Sequence, residues 1–62
     1  MTAYRLYTLG SDGHIEGPTT IVECDDDQAA VERAKELLNG KAIEVWERKR
    51  LIVRLEPKII VG

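Results

Sequence analysis

One stretch constrains this chain more than any other: "DDDQAAVERAKELLNG", residues 25–40, the only segment with the start, stripe and stop of a helix. Asp25 stands where a side-chain oxygen accepts from the first free N–H groups, and Gln28, three residues on, can reach back as in a capping box. Asp26 and Asp27 fall in the first turn, where the positive end of the helix dipole favours acids. Ala30, Val31, Ala34, Leu37 and Leu38 make one apolar stripe at helical spacing, while Glu32, Arg33, Lys35 and Glu36 take the wet side. Asn39-Gly40 ends the pattern, with Gly40 free to adopt the left-handed conformation at C′. A single helix shelters one side of whatever layer it meets.

The flanking segments alternate with the period of strands. "AYRLYTL" runs into the turn signal "GSDG", and "HIEGPTTIVEC" resumes the extended pattern, interrupted at Gly17-Pro18. Proline has no N–H for a ladder, so this break predicts an edge strand or a bulge. Tyr4, Leu6 and Thr8 compete with Arg5, Tyr7 and Leu9 for the buried face of the first strand. "KAIEVWERKRLIVRLEP" reads as a second hairpin. A two-residue loop at Arg48-Lys49 would set Val45 against Ile52 and mix the faces. A three-residue loop over 48–50, or a bulged variant with the same facing, pairs Val45 with Val53 and Ile43 with Leu55 inside. Outside it sets Glu44 opposite Arg54 and Trp46 opposite Ile52, each pair contributing roughly 0.2–1 kcal/mol. The expected fold is α+β: β-β-α-β-β, an antiparallel four-stranded sheet with one helix packed on one face. Strand orders 2-1-3-4 and 1-2-4-3 both satisfy the pattern. Residues 1–57 form one domain, and 58–62, "KIIVG", are an apolar tail, read as an added strand or an interface segment.

A chain of 62 residues buries only about 60% of the surface its unfolded form exposes, so its core needs a supplement. Cys24 is the single cysteine, which excludes an internal disulfide, and no Cys/His cluster has zinc-ligand spacing. Self-association is the remaining supplement. A net charge of −2 creates no field that would draw nucleic acid or an anionic membrane. The start "MTAYRLYTLG" lacks the features of an export signal, and no long apolar run follows. The expectation is a cytoplasmic protein without cofactor or membrane contact.

Each chemically suggestive group has a plain structural explanation. The three acids 25–27 fit a helix cap better than a cation site, and "GSDGHIEG" lacks the acids of a calcium loop. His14 has no neighbouring nucleophile, and Cys24 is about 33 Å further along an extended strand, so catalysis through His14 ranks third among the readings and no catalytic residue is assigned. The basic turn Arg48, Lys49, Arg50, with Tyr4 and Trp46, could meet a small ligand or single-stranded nucleic acid, but Glu44 and Glu47 flank the tryptophan. Trp46 points away from the helix if Ile43 and Val45 point toward it. With Tyr7, Ile52, Ile59 and Ile60 it would form an exposed apolar patch of the kind that marks an interface. The leading expectation is therefore a homodimer, or contact with another protein, through the open sheet face or a strand edge, with Glu44–Arg54 fixing the register.

"YRLYTLGSDGHI" followed by "ECDDDQAAVERAKELLNGKAIEVWERKRLIVRLEP" resembles a family of very short uncharacterised bacterial proteins. The shared features are the Tyr-Arg-Leu-Tyr start, Gly-His-Ile after the first turn, the acidic helix start and a Val-Trp strand followed by an Arg-Leu strand. The resemblance spans nearly the whole chain, implies no catalytic residue, and departs at the apolar "KIIVG".

Overall fold

The computed structural model describes residues 1–38 and 40–57. The chain runs β1 (Thr2–Leu9), β2 (Thr20–Cys24), α1 (Asp27–Leu37), β3 (Ala42–Glu47) and β4 (Arg50–Leu55). The four strands form one sheet in the order β2-β1-β3-β4, antiparallel at every pairing, with the helix on one face. This order leaves the strand that follows Gly17-Pro18 at an edge, where a missing donor costs no ladder bond.

Period-two alternation decides which side chains meet the helix. Tyr4 and Leu6 win the contest on β1: they are buried with Ile43 and Val45 of β3 against Ala30 and Ala34 of α1. Val22, Cys24, Leu38, Ile52, Val53 and Leu55 pack around this cluster. Both helical residues at its centre are alanines, fully buried, so the helix backbone seats close to the sheet. Leu37, expected on the stripe, is the last helical residue and stays exposed, beside Thr8 and Ile43 of the sheet.

The helix start lies one residue beyond the expected cap. Asp26, with extended backbone, is the N-cap and accepts from the Ala29 N–H at 2.8 Å. Asp25 is outside the helix, and the residue three beyond the cap is Ala29, so the expected Asp25–Gln28 capping box does not form. Leu38 closes the helix as C-cap, its N–H donating to the Lys35 carbonyl at 3.3 Å. Gly40 has φ of +74°, the left-handed conformation expected of it, but two residues past the cap. Asn39 is outside the described residues.

The first connection is longer than a hairpin loop. His14 lies in a bend, Ile15 forms a single bridge to Leu9, and the Glu16 N–H donates to the Thr8 carbonyl at 2.7 Å. The register then slips between Leu9↔Ile15 and Leu6↔Thr20, and Gly17, at φ +78°, stands in the slip. The expected strand over 14–24 is thus an edge strand from Thr20, preceded by a bulged segment.

The second hairpin combines both loop lengths. Glu47 pairs with Arg50 across a two-residue turn, Val45 pairs with Val53, and one extra residue, Ile52, is absorbed between them. The turn alone would set Val45 against Ile52, and the bulge restores apolar to apolar. It also sends Ile52 onto the core, so Leu51 rather than Ile52 stands opposite Trp46. Glu44 and Arg54 are partners as expected, yet they do not clasp each other. Glu44 accepts from the Trp46 indole N–H at 3.0 Å, and Arg54 pairs with Glu56 at 2.8 Å.

Candidate functional site

The face of the sheet away from α1 is the candidate. One row crosses all four strands: Ile21 on β2, Arg5 on β1, Trp46 on β3 and Leu51 on β4. The next row holds Tyr7, Glu44 and Arg54. Ile21 is 66% exposed and Leu51 47%, while Trp46 and Tyr7 are half-buried by their neighbours. Arg5, Tyr7, Ile15, Glu44, Trp46 and Arg48 line a shallow depression of about 260 Å³. Among the described residues no helix packs on this side. At the far end of the face Leu9 and Ala42, also ladder partners, are buried outside the main cluster.

Sequence reasoning placed Trp46 and Tyr7 here but missed Ile21 and Leu51. In "TIVEC" both Ile21 and Val22 are apolar, so alternation alone cannot say which is inward, and Leu51 is placed by the bulge. Ile59 and Ile60 lie outside the described residues, as does the whole expected role of 58–62.

The residues proposed for a stacking surface are dispersed. Tyr4 is 2% exposed and belongs to the core, its hydroxyl donating to Asp27 at 2.8 Å. Arg50 points to the helix start, giving two hydrogen bonds to Asp27 at 2.9 and 3.2 Å and one to Glu47 at 3.2 Å. Arg48 lies 3.6 Å from Glu47, and its carbonyl accepts from the Arg5 guanidinium. Arg48 also has φ of +56°, which the tight turn imposes on a non-glycine residue. Two of the three cations of the turn are therefore engaged with the protein's own acids.

The Asp27 network makes the acidic run a structural device. The Arg50 and Tyr4 hydrogen bonds, in that order, hold the Asp27 carboxyl below the usual carboxylate range. Burial first, and then the hydrogen bond to Asp27, pushes the Tyr4 phenol up to about 12. Asp27 and Glu47 raise Arg50 further above its ordinary value, keeping it charged. The network ties β1, the start of α1 and the β3–β4 turn together.

His14 is highly exposed. Its ring lies 3.1 Å from Asp12, whose other oxygen accepts from the His14 N–H at 3.1 Å. The backbone bond, and then the imidazole, hold the Asp12 carboxyl low. Cys24 pairs with Thr2 at one end of β1, and Ile15, next to His14, bridges Leu9 at the other. That separates thiol and imidazole by about 23 Å of strand, so the fold does not bring them together. Among the described residues no three His, Cys, Asp or Glu side chains converge as a metal centre requires, and no helix is long and apolar enough to cross a membrane. No family model, curated protein or solved structure matches this chain.

Proposed function

We propose that this chain is a small self-associating α+β module, and that a second copy covers the open face of its sheet. The observation that carries the reading is the row Ile21–Arg5–Trp46–Leu51, which sets a tryptophan and two exposed aliphatic side chains on the side the helix leaves bare. A core centred on Val45 and two alanines is small, and covering the reverse face adds the burial such a chain otherwise lacks. The face is favoured over the strand edges because both edges are blunted. β2 follows a Gly-Pro bulge, and β4 holds a bulge at Ile52 between Arg50 and Arg54. We place the module in a reducing cytoplasm, where Cys24 remains a thiol, and with the short bacterial proteins it resembles.

Four strands about 4.8 Å apart and five residues deep present a footprint of about 300 Å², well below a standard interface, so the expected association is micromolar or weaker. Size-exclusion with light scattering, run from about 10 to about 500 μM, is expected to show mass rising toward twice the monomer. Trp46→Arg, which places a third cation beside Arg5 and Arg48, is expected to remain monomeric throughout with unchanged circular dichroism. Wild type that stays monomeric at the highest concentration would refute the reading.

A second reading takes the depression beside Trp46 and Tyr7 as a site for a small ligand or single-stranded nucleic acid. It predicts quenching of Trp46 fluorescence by oligonucleotides at concentrations where the protein is monomeric. The engagement of Arg48 and Arg50 by Glu47 and Asp27 weighs against it.

A further inference from the structure

We infer that the second copy docks about a two-fold axis lying in the open face along the seam between β1 and β3, with Ile21 of each copy meeting Leu51 of the other. This geometry rests on the self-association reading above and adds to it the arrangement of the partner. A two-fold interface is self-complementary, so every contact occurs twice and any residue on the axis meets itself. An axis along β1 would set Arg5 on Arg5 between Ile21 and Trp46, and one along β3 would set Glu44 on Glu44, each pairing like charges. An axis across the strands, between the two rows, would set Leu51 against Arg54 and Trp46 against Glu44, opposing apolar groups with charge.

The seam between β1 and β3 avoids these conflicts. Rotation about it exchanges β1 with β3 and β2 with β4. Within the first row Ile21 then faces Leu51 and Arg5 faces Trp46; within the second, Tyr7 faces Glu44. Aliphatic meets aliphatic at both ends of the row, a guanidinium lies over the indole, and a phenol can donate to a carboxylate. Ile21 and Leu51, the most exposed apolar groups of that row, are the ones such an axis covers. Two sheets in aligned packing cross at about 30° with side chains interdigitating; this leaves Arg5 and Trp46 in place near the axis and shifts Ile21 and Leu51, about 7 Å from it, by about 4 Å, within reach of their side chains.

The test is a paired exchange. Ile21→Glu alone sets a carboxylate against Leu51 twice, and Leu51→Lys alone sets an ammonium against Ile21 twice. Each variant alone is expected to weaken self-association by about tenfold or more. Mixed in equal amounts, they place Glu against Lys at one end and keep Ile21 against Leu51 at the other. The mixture is therefore expected to associate within about threefold of wild type, as a heterodimer by native mass spectrometry. Both side chains are exposed, and circular dichroism checks that each variant folds. If either does not, Ile21→Cys with Leu51→Cys in a Cys24→Ser background is expected, on addition of a short bis-maleimide that alkylates both thiols and spans the roughly 10 Å between facing sheets, to yield a dimer cross-linked between 21 and 51. A wild type that associates while the mixture stays monomeric, or variants that dimerise singly, would overturn the seam axis and leave self-association standing. A wild type that never associates would remove both.

Discussion

Val45→Ala is expected to remove most of the stability of this fold. Val45 is fully buried at the centre of the cluster, on a central strand, opposite Leu6 on one side and Val53 on the other. Truncation loses the transfer energy of its methyl groups and leaves a cavity that Ala30 and Ala34 are too small to fill, a cost of about 2–3 kcal/mol. A domain of this size has only about 3–5 kcal/mol in all, so the thermal midpoint should fall by about 10–20 °C. Leu51→Ala, on the exposed face, should change it little at dilute concentration. Equal losses from the two substitutions, followed by circular dichroism, would contradict the placement of the core.

Stability is expected to decline at both ends of the pH scale, and Asp27 links the two limbs. Its carboxyl titrates lower in the folded chain because Arg50 and Tyr4 bond to it. A group whose pKa falls on folding contributes stability above its unfolded value of about 4, and this is lost as pH drops through the folded value. The Tyr4 phenol moves oppositely, from 10.0 to about 12. Its contribution is fully present below pH 10.0 and is lost as pH rises toward 12. Asp27→Ala should lower the midpoint at pH 7 and flatten the acid limb, since the group that titrates is gone. Tyr4→Phe should remove much of the alkaline limb and keep the larger part of the acid one, which the Arg50 hydrogen bonds still support. Acid limbs of equal slope in wild type and Asp27→Ala would show that the bonds to Asp27 do not form in solution.

The helix was legible because its signals are local. Acids, stripe and stop all lie within sixteen consecutive positions, and a one-residue error at the cap arose because three aspartates in a row offer the same capping oxygen. The alternation of "IEVWE" likewise placed Val45 inward and Trp46 outward without coordinates. Trp46 of the candidate face follows from that alternation, whereas Tyr7 takes its place there only because Tyr4 and Leu6 turn inward. Ile52 does not, because the bulge that turns it inward reconciles a two-residue turn with an apolar register, and neither demand exposes the compromise until both are met.

The order of residues along the chain is enough to specify one helix, four strands and the side of the sheet on which Trp46 stands, since these depend on spacing between near neighbours. Tertiary structure decided what depends on distant residues meeting. It chose β2-β1-β3-β4, set Tyr4 and Leu6 inward, and joined Asp27 to Arg50 across 23 positions of chain. The physical reason is the range of the forces involved: periodicity and capping act within a turn or a strand, whereas a core and an ion pair form only after the chain has closed on itself.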